Sequence, residues 1–143
     1  MKGSCLCESV EFELKNFSGN IYQCHCSLCR KQGGSSSNSG AIVAIDKLFW
    51  VKGQDQVHTW KKETGFTSSF CKNCGSLVPN ILRGIDYYWI PVGALEDGEF
   101  EIVANIYTDS KVSWAPMPER GVKFPTMPEF HKFIGILGCG NDD

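Results

Sequence analysis

The segment Cys71-Lys-Asn-Cys74-Gly75 decides the fold, because its two cysteines have the spacing at which both thiols can bind one metal ion. The glycine after the second cysteine can adopt the positive φ that closes such a turn. This turn provides only two ligands, whereas a structural zinc site takes four. The other two ligands therefore have to come from elsewhere in the chain.

The pair Cys5-Leu-Cys7 near the N-terminus can supply them. On a strand, residues i and i+2 project from the same face, so we expect both thiols to face one ion. A metal that joins this pair to residue 71 closes a long loop, which is what a structural site does well. The sequence therefore predicts a structural zinc bound by Cys5, Cys7, Cys71 and Cys74. Four unrelated buried cysteines would explain two pairs at ligand spacing poorly.

A second group lies in the stretch QCHCSLCRKQ, residues 23–32, which contains Cys24, Cys26 and Cys29. Cys139 lies alone near the C-terminus, and we expect it to be a free thiol. His25, between two cysteines, is expected to point to the opposite face and not to bind metal. Three protein ligands with one exchangeable position are typical of catalytic zinc, whereas four are typical of structural zinc.

Three thiolates favour chemistry at sulfur. They place more negative charge on zinc than three imidazoles do, so a bound water is less acidified and hydrolysis is less favoured. A substrate thiol is a better ligand than water for this ion, because zinc binds it as a thiolate that remains nucleophilic. Arg30 and Lys31 follow directly and could bind a substrate carboxylate, although a solvated basic pair is an equally good interpretation.

Length and charge restrict the class of protein. The chain has 143 residues, 42% of them hydrophobic, and a net charge of −2, which fits one soluble domain over residues 1–143. The charge disfavours binding to nucleic acid or to an anionic membrane. No apolar run reaches a transmembrane length and no signal peptide is evident, so we expect a cytoplasmic protein. Disulfides do not persist in that compartment, which favours metal binding for the cysteines.

Short segments rich in β-branched and aromatic residues predict an all-β fold with little helix. They are residues 9–15, 40–45, 56–60, 66–70, 76–82, 86–92 and 101–107. One short helix is expected after Cys26, ended by Gly33-Gly34. Residues 33–40, GGSSSNSG, are expected to form a plain loop, with the wall of a pocket as the second interpretation. Four of the six prolines fall within 110–130, which predicts an irregular tail over about 110–143.

Together, these motifs resemble the glutathione-dependent formaldehyde-activating enzyme (Gfa) family, whose domain is also called CENP-V/GFA. The residues that carry the resemblance are GSCLC (3–7), CHCSLCRK (24–31), FCKNCGS (70–76), NIYTDSKVSW (105–114) and FPTMPEF (124–130). The resemblance implies an Mss4-like β-tent, in which zinc clamps antiparallel sheets. It also implies two Zn²⁺ ions per chain, a structural one on Cys5, Cys7, Cys71 and Cys74 and a catalytic one on Cys24, Cys26 and Cys29.

The activity that the resemblance implies is a carbon–sulfur lyase of the S-(hydroxymethyl)glutathione synthase type. The partners would then be a small thiol, with glutathione as one possibility, and a small aldehyde such as formaldehyde. The chain departs from the family at Glu8, where glycine is usual. Two alternatives stay open: an interaction module in which both zinc ions are structural, and a redox sensor that releases zinc on oxidation. A fourth ligand from Cys139 or a histidine would favour the interaction module.

Overall fold

The computed structural model describes residues 1–96 and 98–139, so the last four residues of the predicted tail lie outside the described part. Two compact units interleave along the sequence. The first combines Met1–Phe17 with Ile42–Gly98, and the second combines Ser18–Ala41 with the chain from Glu99 onward. The four-cysteine group belongs to the first unit and the three-cysteine group to the second.

Eleven strands and two α-helices are present in the described residues. In chain order they are β1 (Lys2–Ser4), β2 (Glu11–Leu14), β3 (Asn20–Cys24), α1 (Ser27–Gly33), β4 (Asn38–Ala44), β5 (Leu48–Lys52), β6 (Val57–Lys61), β7 (Thr67–Cys71), β8 (Asn80–Ile81), β9 (Tyr87–Pro91), β10 (Glu101–Ile106), β11 (Val122–Lys123) and α2 (Phe130–Leu137). The prediction of an all-β fold with little helix is confirmed. Neither α-helix has the length and apolar character needed to cross a membrane.

In the first unit, β1, β2 and β5 form an antiparallel sheet, and β6 pairs with β7 as an antiparallel hairpin. Phe12 and Leu14 alternate with glutamates along β2 and are fully buried, as the period of two predicts. Cys5, Val10, Cys71 and Val78 form a buried cluster against which Trp50 packs. The backbone that carries the four cysteines is therefore anchored in this core.

In the second unit the strand order is β11-β10-β3-β4. The strand β3 runs parallel to β10, with Ile106 opposite Cys24, and antiparallel to β4, with Asn38 opposite Cys24. The last residue of β3 is therefore held from both sides by ladder pairing. This pairing fixes the start of the three-cysteine segment.

The predicted helix after Cys26 is confirmed as α1, and Gly34 ends it with a φ of 66°. The following stretch is shorter than the predicted loop, because Asn38, Ser39 and Gly40 belong to β4. The strand predicted at 76–82 is reduced to β8, since Pro79 has no N–H group for a ladder. Strands β1, β3, β5 and β11 were not predicted from the sequence.

The prediction of an irregular tail is wrong for β11 and for α2. The carboxylate of Glu129 caps the first turn of α2 by accepting from the N–H groups of His131 and Lys132. One face of the helix is buried through Phe133, Ile134 and Leu137. The Phe133 and Tyr22 rings pack edge to face, with their centroids 4.8 Å apart. The prolines all precede the helix, so they allow it to form.

Candidate metal centres

The thiols of Cys5, Cys7, Cys71 and Cys74 lie within 4.8 Å of one another. The Sγ atoms of Cys5 and Cys7 are 3.6 Å apart, and those of Cys7 and Cys71 are 3.9 Å apart. Four sulfurs bound tetrahedrally to zinc at about 2.3 Å would be separated by about 3.8 Å. A disulfide would bring two sulfurs to about 2.05 Å. This donor set therefore fits a four-coordinate metal ion.

The first pair of these cysteines lies in a turn and not on a strand, which corrects the expectation from the sequence. The N–H of Glu8 donates to the Cys5 oxygen at 3.1 Å, and the N–H of Cys5 donates to the Val10 oxygen at 3.0 Å. Glu8 adopts a φ of 64° to close this turn. Both thiols still converge, because a tight turn orients them as the second cysteine turn does.

The second turn follows the prediction. The strand β7 ends at Cys71, and the N–H of Gly75 donates back to the Cys71 oxygen at 2.8 Å. Gly75 has a φ of 79°, which is the left-handed conformation that its position required.

Polar side chains beside Cys7 and Cys74 stabilise the charged form of these two thiols. The Ser9 hydroxyl lies 3.0 Å from the Cys7 Sγ, and the Asn73 amide donates to the same sulfur at 3.2 Å. These contacts, the one from Ser9 first, lower the pKa of Cys7 to about 7. Contact with the Ser76 hydroxyl lowers the pKa of Cys74 to about 5. Ser9, Asn73 and Ser76 were not predicted as site residues, although each lies within two residues of a cysteine.

The second unit brings together Cys24, Cys26 and Cys29, whose thiols also lie within 4.8 Å of one another. Cys24 is buried at the end of β3. Cys26 is the N-cap of α1, and its Sγ accepts from the N–H of Cys29 at 3.4 Å. A strand end and the first turn of a helix therefore direct three thiols to one point.

The three thiols shift one another's pKa values in opposite directions. Hydrogen bonds from the Cys24 and Cys29 thiols, in that order, hold the pKa of Cys26 far below its usual range. The contact with Cys26 raises the pKa of Cys24 to about 12, and the contacts with Cys24 and Cys26 raise the pKa of Cys29. Three thiolates at this separation repel one another, so a cation is needed for all of them to ionise. The donor chemistry therefore fits a thiophilic metal ion.

Among the described residues, no other cysteine, histidine, aspartate or glutamate joins this group of three. His25 is buried, and its Nε2 lies 3.0 Å from the Asn105 Oδ1. The Cys139 Sγ donates to the Ile134 oxygen at 3.6 Å, and burial raises the pKa of this thiol to about 11. Neither residue is a fourth ligand here.

The two residues of the predicted carboxylate-binding pair, Arg30 and Lys31, lie in different surroundings. The Arg30 Nη1 donates to the main-chain oxygens of His25 at 2.8 Å and Ser110 at 2.5 Å. It therefore links the three-cysteine segment to the turn after β10. Lys31 is exposed on α1.

A cavity of about 230 Å³ lies beside this segment, within the second unit. Its lining includes Ser36 and Ser37, so the loop before β4 does form a pocket wall. The full lining is Gln23, His25, Ser36, Ser37, Lys111, Val112, Ala115, Pro116 and Pro118. Lys111, the cation of this lining, was not predicted as a site residue, although the segment NIYTDSKVSW contains it.

Tyr107 was also missed. It follows β10 directly, and its φ of 55° places a bulky residue in the left-handed region. Burial raises the pKa of its hydroxyl, and the charges of the three thiols raise it further. Its position next to Ile106, which is opposite Cys24 in the ladder, explains this influence.

Comparisons with known proteins match the chain to a family model and to a solved structure. The family model described as glutathione-dependent formaldehyde-activating enzyme matches residues 1–110 of the 143. The crystal structure of a Rhodobacter sphaeroides protein is 28% identical, with a TM-score of 0.57, and the match covers 69% of this chain and 91% of that one. No curated protein matches the chain significantly. The two cysteine clusters and the family match together identify this chain as a member of the glutathione-dependent formaldehyde-activating enzyme family.

Proposed function

We propose that the chain binds two zinc ions and catalyses carbon–sulfur bond formation between a small thiol and a small aldehyde. The observation that supports this most directly is the three-thiol group, which no other described cysteine, histidine or carboxylate completes. The family match supports the same reaction, since its description names glutathione and formaldehyde.

The four-thiol centre would be structural. Its ligands come from two turns that are more than sixty residues apart in sequence, as the contact between Cys7 and Cys71 illustrates. Two of the ligands, Cys5 and Cys71, are buried in the core of the first unit. An ion held by all four would therefore stabilise the unit and would have no position left for a substrate.

The three-thiol centre would be catalytic. The ion would be held by Cys24, Cys26 and Cys29. Their positions at the end of β3 and in the first turn of α1 keep the three thiols in place. When bound, zinc would supply a Lewis acid that keeps an incoming thiol deprotonated near neutral pH. Cys26 and Cys29 are only partly buried, so a small molecule can reach this side of the cluster.

The overall reaction adds a thiol to a carbonyl group. A bond forms between sulfur and the carbonyl carbon, the C=O π bond breaks, and the thiol proton ends on the oxygen to give a hemithioacetal. Formaldehyde and glutathione would give S-(hydroxymethyl)glutathione. Because both clusters need reduced cysteines, we place this activity in a reducing compartment such as the cytoplasm.

The test combines metal counting with exchange spectroscopy. Native mass spectrometry should find two zinc ions per chain. NMR exchange between glutathione, formaldehyde and their adduct should be faster with the protein. In Cys29→Ser, one ion and the acceleration should be lost while the far-UV circular dichroism spectrum stays unchanged.

Cys139→Ser is the matched control, because Cys139 is a partly buried thiol of the same unit outside the cluster. It should keep both ions and the acceleration. A single ion per chain, or a Cys29→Ser protein as active as the parent, would refute the proposal. Two ions without any acceleration would favour the interaction module.

A further inference from the structure

The cavity beside the three-cysteine segment has an asymmetric polar lining. Acceptor groups come from β3 and the residue after it, whereas the cation comes from the turn after β10. None of the nine lining residues is acidic. The lining therefore offers neutral hydrogen-bond acceptors to one end of a ligand and a positive charge to the other.

His25 provides the first acceptor. The Asn105 Nδ2 donates to the Arg120 oxygen at 3.2 Å, so the Oδ1 of this amide accepts from the His25 ring. Nε2 consequently carries the proton in the neutral ring, and Nδ1 has a lone pair. Among the described residues no hydrogen bond is made by this Nδ1, and the ring lines the cavity. A donor on a ligand can therefore bind there.

Gln23 provides the second acceptor, two residues earlier on the same face of the chain. Its Nε2 donates to the Ser39 hydroxyl at 3.3 Å, which orients the amide. Its Oε1 is then the atom that can accept from a ligand. Two acceptors on one wall suit an ammonium group, which has three protons to donate.

Lys111 provides the positive charge. Its Nζ donates to the Val112 oxygen at 2.8 Å, which uses one of three protons and holds the ammonium in place. Ser36 and Ser37 add hydroxyl groups to the same lining. A cation and hydroxyl donors together suit a carboxylate.

We propose that this cavity binds the α-amino-acid head group of the thiol substrate. Its ammonium would lie on Gln23 and His25, and its carboxylate on Lys111 and the two serines. The inference builds on the proposed function, because it assumes that the substrate is a thiol. Cys24 and Cys26 flank His25 in sequence, so a residue that lines the cavity lies between two members of the thiol cluster in the chain.

The size of the cavity favours a free amino acid. A volume of about 230 Å³ corresponds to about eight water-sized groups, since each water occupies about 30 Å³ in the liquid. A cysteine-sized molecule fits this space, whereas a tripeptide would place only one of its ends there. The γ-glutamyl end of glutathione carries the same head group, so it is the second possible source of this chemistry.

Serine is the appropriate probe because it has the head group and no thiol. In calorimetric titrations, serine should bind at least about tenfold more tightly than ethanolamine, which lacks the carboxylate, or 3-hydroxypropanoate, which lacks the ammonium. Lys111→Met should weaken serine binding by at least about tenfold. Lys123→Met is the matched control, because Lys123 also donates to a main-chain oxygen of the same unit, and it should bind serine normally.

Two further probes identify the source of the head group. Tighter binding of S-methylcysteine than of S-methylglutathione would assign the cavity to a free amino acid. The reverse order would assign it to the γ-glutamyl end, and either order supports a head-group site. No serine binding, or equal binding of serine and ethanolamine, would overturn the inference. Because serine carries no thiol, its binding is measured without thiol–aldehyde exchange, so failure of the head-group site and failure of the proposed function give distinguishable results.

Discussion

The Arg30 guanidinium donates to the Ser110 main-chain oxygen at 2.5 Å, and the same Nη1 donates to the His25 oxygen. A residue expected to bind substrate is thus positioned against the backbone. Charge-assisted bonds to two carbonyls are worth more than one neutral bond, although this site is partly exposed. The contact assigns Arg30 a role in ordering the chain around the three cysteines.

We therefore expect Arg30→Met to lower the free energy of unfolding by about 1–2 kcal/mol in urea titrations. Lys31→Met, at the exposed neighbouring position, should change it by less than about 0.5 kcal/mol. An Arg30→Met protein of normal stability with a raised KM for the thiol would instead support a role in carboxylate binding.

Glu8 occupies a left-handed position in the first cysteine turn, with a φ of 64°. This conformation costs an L-residue about 1–2 kcal/mol, part of which glycine recovers despite its larger entropy loss on folding. Glu8→Gly should therefore stabilise the protein by about 0.5–1 kcal/mol in chemical denaturation. Glu8→Ala keeps the Cβ and should not stabilise it. If Glu8→Ala stabilised the protein as much as Glu8→Gly, the gain would come from removing a carboxylate near the thiols and not from the backbone conformation.

Cys71 is fully buried within the four-thiol group. Cys71→Ser removes a proposed metal ligand and leaves a hydroxyl in the core, so we expect stability to fall by about 4 kcal/mol or more and one metal ion per chain to be lost. Denaturation curves and metal analysis on the same sample measure both. Cys139→Ser should retain its metal and change stability by less than about 1 kcal/mol. Full metal content in Cys71→Ser would contradict a four-thiol site.

The two centres should lose metal in a fixed order. A chelator could approach the three-thiol centre through its partly buried cysteines, whereas four ligands would enclose an ion at the other centre. We expect one ion to be released first, with the loss of thiol–aldehyde exchange and an unchanged circular dichroism spectrum. The second ion should leave only as the chain unfolds. Simultaneous release of both ions would argue against distinct roles.

Glu129 makes stability depend on pH at α2. Its carboxylate accepts from the N–H groups of Lys132 at 2.8 Å and His131 at 3.0 Å, and these bonds lower its pKa. A carboxylate with a lower pKa in the folded state contributes stability above its unfolded pKa of about 4.3 and loses it as the pH falls through the folded value. Glu129→Ala should thus be less stable than the parent at pH 7, and the difference should shrink below about pH 4.

Comparison of the parent and Glu129→Ala at each pH cancels the effect of acid on the metal centres. Glu119→Ala removes an exposed glutamate of the same unit and should show no such convergence with the parent. A difference that stays constant from pH 7 to pH 3 would rule out the capping carboxylate as its cause.

The turn at Cys71–Gly75 and the helix after Cys26 could be predicted because both depend on local chemistry. A glycine at a left-handed position and a small cap before a short helix act within a few residues. Strand β2 could be predicted as well, because its residues alternate between buried and partly exposed with a period of two. The helix α2 also had local signals, namely Glu129 and the spacing of Phe133, Ile134 and Leu137, which the nearby prolines outweighed in the sequence analysis.

The sequence by itself determined which cysteines belong to which group, because ligand spacing follows from the geometry of turns and strands. It did not determine the contacts of Arg30, nor that Gln23, His25 and Lys111 would line one cavity. Those depend on the parallel pairing of β3 with β10, which brings residues more than eighty positions apart side by side. Such pairing is decided by the register of distant strands and the packing of the whole unit, and no local pattern records it.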